Sequence, residues 1–153
     1  MQISGRCHCG NISFLFTIAP DPVDIPARAC TCSFCVKHGG VWTSSPAGSL
    51  HVHFEDAGQV NRYSFGTRTA AFHVCRVCGI VPFVTSEIDG HEYAVVSVNA
   101  FENVPASMLR QRPASFDGEG VGERLARRAK NWIPTVLYTE GRRPVDRSPQ
   151  AQQ

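Results

Sequence analysis

The sequence lacks any long hydrophobic run, and its amino terminus lacks the features of a secretory signal. No apolar stretch in the 153 residues approaches the roughly 20 residues that a helix needs to cross a bilayer. The opening segment, MQISGRCHCG, reaches a cysteine motif at Cys7 without an apolar stretch or a cleavage site. These absences exclude a membrane-spanning segment and predict a cytoplasmic protein with no membrane partner.

The chain also has little excess of either charge. It carries 15 Lys and Arg against 13 Asp and Glu, a formal net charge of +2. Seven thiolates holding two zinc ions would move this balance to about −1. Because nucleic-acid binding depends on a marked positive surface, and the one basic cluster is short, we expect no nucleic-acid partner.

The length of 153 residues suits one domain with an ordinary hydrophobic core. The last stretch, GRRPVDRSPQAQQ, is polar and contains proline, so it has little to bury. We predict a single zinc-binding domain at residues 1–140 and a flexible tail at residues 141–153.

Short runs rich in β-branched and aromatic residues recur along the chain, separated by Gly, Pro, Asn and Asp. Such runs are typical of strands. The run LHVHF places His51 and His53 on one face of a strand, where we expect them to face solvent. The sequence predicts a mainly β fold with strands at residues 11–18, 40–44, 50–54, 59–65, 69–74, 80–85 and 93–98.

Residues 121–132, VGERLARRAKNW, form the one segment with apolar residues at helical spacing, and they predict one short C-terminal helix. The same segment contains four basic side chains. They could hold an anionic ligand, but a solvated helix face is the commoner arrangement and the one we expect. These residues are Arg124, Arg127, Arg128 and Lys130.

All seven cysteines fall into three tight clusters. In a reducing compartment thiols stay free, so an odd number of cysteines in close groups favours metal ligation over disulfides. The first cluster, CHCG, and the third, CRVCG, both end in Cys-Gly. Glycine there lets the chain turn at positive φ, so that backbone N–H groups can point at thiolate sulfurs.

Together these two clusters supply four sulfurs, the tetrahedral set of a structural zinc site. The alternative, ordinary buried cysteines, does not explain two Cys-Gly endings. We assign one structural zinc to Cys7, Cys9, Cys75 and Cys78.

The second cluster, CTCSFCVKHGG, offers three cysteines, Cys30, Cys32 and Cys35. Three protein ligands with one exchangeable position are typical of catalytic zinc, so we expect function here. An alternative is that His38 closes the site as a fourth ligand. His73, two residues before Cys75, is a further candidate ligand, although a hydrogen-bonded structural role is commoner for a histidine in a strand.

Positive charges stand near the three-cysteine cluster. Arg28 and Lys37 would favour thiolates and could steer an anionic substrate, although a purely solvated role is equally compatible with the sequence. Gly39 and Gly40 follow at once and would allow close backbone approach to a ligand, or simply a tight turn.

The order CHCG, CTCSFC and CRVCG over residues 5–105 resembles the glutathione-dependent formaldehyde-activating enzyme family, which also includes centromere protein V. The resemblance implies a zinc-centred β-tent fold with two zinc ions per chain. One would be structural, on Cys7, Cys9, Cys75 and Cys78, and one catalytic, on Cys30, Cys32 and Cys35. It also implies a carbon-sulfur lyase that condenses a glutathione-like thiol with a small carbonyl compound, as in the formation of S-hydroxymethylglutathione.

The chain departs from the family pattern in two places. Ile80, Val81 and Pro82 stand where members commonly have Thr-Pro after Cys-Gly, and CTCSFCVKHGG resembles the centromere protein V branch. The cysteines do not encode the residues that would grip the thiol. The alternative hypothesis is a noncatalytic binding module of the same fold, stabilised by its zinc ions, as expected if His38 completes the second site or the open position is buried.

Overall fold

The computed structural model describes residues 1–141. The predicted tail at residues 141–153 lies outside the described residues, apart from Gly141. Across the described part the fold is mainly β, with two sheets and one helix longer than seven residues, as predicted. The strands are β1 (Gln2–Arg6), β2 (Ile12–Thr17), β3 (Ile25–Cys30), β4 (Val41–Thr43), β5 (Ser49–Phe54), β6 (Val60–Tyr63), β7 (Ala71–Cys75), β8 (Phe83–Ile88), β9 (His91–Ser97), β10 (Leu109–Ala114) and β11 (Thr135–Glu140).

The first sheet has four strands in the order β1-β2-β5-β11, and the second has seven in the order β10-β3-β4-β9-β8-β7-β6. Most neighbours are antiparallel. Two late strands add in parallel, β10 along β3 and β11 along β5. The last part of the chain therefore returns to both sheets and extends each at an edge.

The two sheets share a hydrophobic core built by alternating side chains. In β2 the residues Ile12, Phe14 and Phe16 are buried, whereas Leu15 between them is 39% exposed. They pack with Phe83 from the second sheet. Burying one such side chain contributes about 1.5–3 kcal/mol, so the period-two pattern fixes which face of each strand points inward.

Cysteines belong to two different apolar clusters. Cys7 and Cys75 lie in the core between the sheets and are fully buried. Cys35 packs instead in a second cluster with Trp42 and Trp132. The metal-ligating candidates are thus built into the two main hydrophobic clusters of the described chain.

Each predicted strand region contains a strand, but four strands were not predicted: β1, β3, β10 and β11. The last two are polar or exposed along most of their length, so they lack the alternation on which the prediction rests. The pairing of β11 with β5 also corrects the expectation that both histidines of β5 face solvent. His51 is exposed, but His53 is buried and its Nδ1 lies 2.8 Å from Oγ1 of Thr139 on β11.

Two α-helices lie beside the second sheet's strands. The helix α2 (Val121–Asn131) was predicted, whereas the short α1 (Ser33–His38) inside the three-cysteine motif was not. The Cys32 sulfur caps α1 by accepting a hydrogen bond from the Cys35 amide, and Gly39 ends it at φ 69°. Across residues 1–141 neither helix has the length and apolar character that crossing a membrane requires.

Candidate metal centres and the adjoining cavity

The first and third cysteine clusters meet, as predicted from their sequence. Cys7 and Cys9 come from the turn after β1, and Cys75 and Cys78 from the end of β7, and their four sulfurs all lie within 4.8 Å of one another. The sulfurs of Cys7 and Cys9 are 3.7 Å apart and those of Cys9 and Cys75 are 3.5 Å apart. A tetrahedral zinc with bonds of ≈ 2.3 Å sets its sulfurs about 3.8 Å apart. The group therefore fits zinc.

Glycine shapes the turn in the first and in the third cysteine cluster in the same way. Gly10 has φ 85° and Gly79 has φ 79°, the left-handed region that favours glycine. The amide of Gly10 donates to the Cys7 carbonyl at 3.1 Å, and that of Gly79 to the Cys75 carbonyl at 2.8 Å. The Cys-Gly endings thus produce two similar tight turns with the positive φ that was predicted, although the two glycine amides donate to carbonyl oxygens and not to sulfurs.

Burial disfavours the ionisation of all four cysteines of this group together. Burial raises the pKa of Cys7 to about 12, despite an amide hydrogen bond from Ile12 to its sulfur at 3.3 Å. Burial also raises the pKa of Cys75. Burial opposes ionisation of Cys78 too, but amide hydrogen bonds lower its pKa to about 6. Since buried thiols resist collective ionisation, four thiolates form here together only against a metal ion's positive charge.

The three-cysteine group is formed by one short segment. Cys30 ends β3, Cys32 caps α1 and Cys35 lies inside α1, and the three sulfurs are within 4.8 Å of one another. The Cys35 amide donates to the Cys32 sulfur at 3.4 Å, and Nε1 of Trp42 donates to the Cys35 sulfur at 3.3 Å. These donors hold the sulfurs in place and offset negative charge on them.

Hydrogen bonding divides the protons unequally within this group. The Cys35 thiol donates to Cys30 and so lowers the pKa of Cys30 to about 5. The same contact, together with burial, raises the pKa of Cys35. These two opposite shifts belong to the coupled set of thiols rather than to either residue alone.

Gly40 is required by close approach rather than by its backbone angle. A Cβ atom at this position would lie 2.9 Å from the Cys35 sulfur and 2.9 Å from Nε1 of Trp42. Both distances are shorter than real Cβ contacts allow. Gly40 therefore makes room for the hydrogen bond between Trp42 and Cys35, a contact within the protein, whereas the sequence suggested approach to a ligand or a tight turn for the Gly-Gly pair.

Neither histidine candidate belongs to a ligand group among residues 1–141. The His38 ring stacks on Phe34 with centroids 5.2 Å apart, and the group beside it consists of three cysteines. His73 is buried, stacks on Phe83 at 4.1 Å and lies 2.8 Å from Oγ1 of Thr85. Burial and then the nearby Arg62 lower the pKa of His73 to about 3, so it is a neutral core residue.

A cavity of about 150 Å³ adjoins the three-cysteine group and not the four-cysteine group. All three cysteines, Cys30, Cys32 and Cys35, line it. Much of the remaining wall is aromatic, formed by Trp42, Phe65, Phe72, Phe116 and Trp132. A largely apolar pocket with a few convergent polar groups is the usual form of a small-molecule site.

Four arginines complete the wall, three of them from α2: Arg28, Arg124, Arg127 and Arg128. This corrects the expectation that the basic residues of α2 form a solvated face, although Lys130 is exposed. Arg128 is only 7% exposed, whereas the apolar Val121 is 49% exposed. The spacing of Arg124, Arg127 and Arg128 on one face was the available signal, but only the fold reveals that this face meets a cavity.

Two of the arginines are held by a carboxylate. Arg127 donates to both carboxylate oxygens of Glu119, at 2.8 and 3.0 Å, and stacks over the Phe116 ring at 3.8 Å. The Nε of Arg124 lies 3.5 Å from the same carboxylate. The hydrogen bond from Arg127 lowers the pKa of Glu119, so this part of the wall is a fixed ion-pair cluster.

The fold and these groups define a mainly β protein with two cysteine clusters that could hold zinc. Residues 2–116 match the family model described as "Glutathione-dependent formaldehyde-activating enzyme". The chain belongs to this family, which confirms the resemblance seen in its cysteine motifs. A crystal structure of a Rhodobacter sphaeroides protein is 33% identical, with a TM-score of 0.54 over 68% of this chain and 92% of that chain. No curated protein matches the chain significantly.

Proposed function

We propose that the protein is a zinc-dependent enzyme of the carbon-sulfur lyase type. It forms or cleaves an adduct between a thiol and a carbonyl compound, such as S-hydroxymethylglutathione. Cys30, Cys32 and Cys35 hold the catalytic zinc, and Cys7, Cys9, Cys75 and Cys78 hold a structural one. The observation that carries the proposal is that the three-cysteine group, which lacks a fourth ligand among the described residues, lines the cavity.

The proposed chemistry is an addition with no change of oxidation state. Sulfur of the thiol bonds to the carbonyl carbon, the C=O π bond becomes a C–O single bond, and the thiol proton ends on that oxygen. A zinc ion with an open position would lower the pKa of the incoming thiol. The reaction needs no other co-reactant, and the reverse direction releases both partners.

The chain's own residues would position the reactants and exclude water. Trp42 fixes the Cys35 sulfur through its N–H, and the aromatic wall keeps the cavity apolar. Asp117 lines the same cavity and offers a carboxyl group that can hold the transferred proton. The free thiols that this chemistry uses persist in the cytoplasm, which is where we propose that the protein acts.

The test combines metal content with turnover. Zinc per chain is measured by plasma mass spectrometry in the wild type and in Cys35→Ser, and thiol-formaldehyde exchange is followed by NMR with glutathione and several smaller thiols. We expect two zinc ions and accelerated exchange in the wild type, against one zinc ion and no acceleration in the variant. A wild type with two zinc ions that accelerates no exchange would instead indicate the noncatalytic binding module.

A further inference from the structure

The cavity beside the three-cysteine group has more arginines than carboxylates in its wall, since four arginines and Asp117 line it. Arg124 and Arg127 share Glu119, but no ion pair within residues 1–141 involves Arg28 or Arg128. Both of these arginines line the cavity. Burying a guanidinium is costly unless a partner compensates it, so the two side chains indicate that an anion belongs in the cavity.

One buried donor atom of Arg128 has no hydrogen-bond acceptor among the described residues. Its Nη1 donates to the Thr69 carbonyl at 3.0 Å, to the Thr69 hydroxyl at 2.8 Å and to the Ser86 hydroxyl at 3.2 Å. These contacts fix the guanidinium, and its buried Nε has no partner in the described chain. The guanidinium is therefore fixed in place while its buried Nε still has a hydrogen bond to donate to a ligand.

Arg28 presents a second guanidinium to the cavity, from a strand rather than from α2. It belongs to β3, and its Nη2 donates to the Ser44 hydroxyl at 3.0 Å. Arg28 from β3 and Arg127 from α2 line the same cavity, so positive groups from two elements converge there. An anion between them would relieve their mutual repulsion.

The remaining space suits a compact apolar body. A cavity of about 150 Å³ lined by apolar side chains is large enough for a benzene ring, and this cavity has the same volume and five aromatic side chains in its wall. Glutathione has two carboxylates, an ammonium group and polar amides along its length. It therefore matches these walls less well than a small apolar acid does.

We propose that the cavity binds a compact carboxylic acid with an apolar body about the size of a benzene ring. Its carboxylate would lie at Arg28 and the free Nε of Arg128, and its body against Trp42, Phe72 and Trp132. As a statement about the substrate, this inference rests on the proposed function and narrows the thiol or carbonyl partner to an aromatic or similarly compact acid. As a statement about binding, it can be tested without turnover.

Benzoate is the probe, and its neutral counterpart benzamide is the comparison. Both tryptophans of the chain line the cavity, so tryptophan fluorescence of the zinc-loaded protein reports occupancy, and calorimetry gives an independent affinity. We expect saturable benzoate binding at least about tenfold tighter than that of benzamide, the range for a hydrogen bond to a charged group. Benzamide binding equally tightly, or benzoate not binding, would overturn the proposal.

The variants are Arg28→Gln and, as a matched control, Arg112→Gln. Arg112 lies directly opposite Arg28 in the pairing of β10 with β3, but it is exposed and outside the cavity. We expect Arg28→Gln to weaken benzoate binding about tenfold without affecting benzamide, and Arg112→Gln to change neither by more than about twofold. Equal effects of the two variants would mean a diffuse charge effect and contradict the site.

Two further readouts separate the possible failures. Inorganic phosphate binding as tightly as benzoate would contradict the apolar body of the ligand. Thiol-formaldehyde exchange without benzoate binding would leave the proposed function intact and remove this inference. Benzoate binding with the expected Arg28 dependence, but without any exchange activity, would support the proposed ligand class and contradict the proposed enzymatic function.

Discussion

The two cysteine groups use the same ligand atoms in opposite surroundings. The four-cysteine group joins chain segments more than sixty residues apart, with Cys7 and Cys75 buried in the core between the sheets and Cys9 exposed. Three sulfurs from one short segment line a cavity with aromatic and arginine walls. The comparison teaches that ligand number and surroundings, rather than cysteine chemistry, would separate the proposed structural zinc site from the proposed catalytic one.

The largest expected contrast is in stability. Cys75→Ser removes a fully buried ligand that ties the amino-terminal turn to β7, and structural zinc sites can contribute on the order of 10 kcal/mol to folding. We expect Cys75→Ser to lose its cooperative thermal transition by circular dichroism. Cys32→Ser, the control in the other group, should stay folded. A Cys75→Ser protein as stable as the wild type would remove the structural role.

Metal removal should distinguish the two groups by rate. With a chelator in excess, we expect one zinc ion per chain to leave at least about ten times faster than the other, because an open coordination position admits the chelator. Zinc release followed by a colorimetric indicator provides the measurement. In Cys35→Ser the fast phase should be missing, and a single phase in the wild type would mean that both groups are equally accessible.

A smaller effect is expected from crowding the three-cysteine group. Gly40→Ala would force Cys35 and Trp42 apart, and overpacking of this kind costs about 1–3 kcal/mol. We expect lower zinc affinity at this group, measured by chelator competition, with the four-cysteine group unchanged. Gly122→Ala, where a Cβ meets nothing within 4 Å, should leave both groups unchanged. Equal zinc affinities in the two variants would show that the close contact is unimportant.

The smallest predicted effect concerns the charge of the cavity wall. Glu119→Gln would release Arg124 and Arg127 from their shared carboxylate. The added positive charge should strengthen benzoate binding about twofold to fivefold, the range for a partly exposed ion pair, as measured by calorimetry. Glu123→Gln removes a carboxylate from α2, the helix that also carries Arg124 and Arg127. Glu123 forms no ion pair with these arginines within residues 1–141, so this variant should change the affinity less.

Local signals made the cysteine groups and the alternating strands predictable. The four-cysteine group could be predicted from the spacing of its cysteines and from the glycine that ends each pair. Both glycines, Gly10 and Gly79, adopt the expected positive φ. Runs such as β2 encode their buried face directly. In these cases the physical cause lies within a few residues of the sequence.

Long-range pairing could not be predicted in this way. The strand β11 pairs in parallel with β5, although its own residues are mostly exposed, and this pairing buries His53. Arg128 is similar, because its spacing on α2 fits a solvated face and only its contacts with Thr69 and Ser86 reveal a buried one. Where the partner of a side chain lies far away in the sequence, local composition predicts only the commoner arrangement, which for His53 and Arg128 is an exposed side chain.

The helix α2 begins at Val121, beyond the stretch of residues 2–116 that matches the family model. All seven cysteines precede that limit, whereas three of the four cavity arginines follow it. The cavity wall is therefore shared: Arg28, Trp42 and Phe72 come from the matched stretch, and Arg128 and Trp132 from the segment after it. A chimaera that exchanges only the segment after residue 116 would change one part of the cavity wall while leaving both cysteine groups as they are.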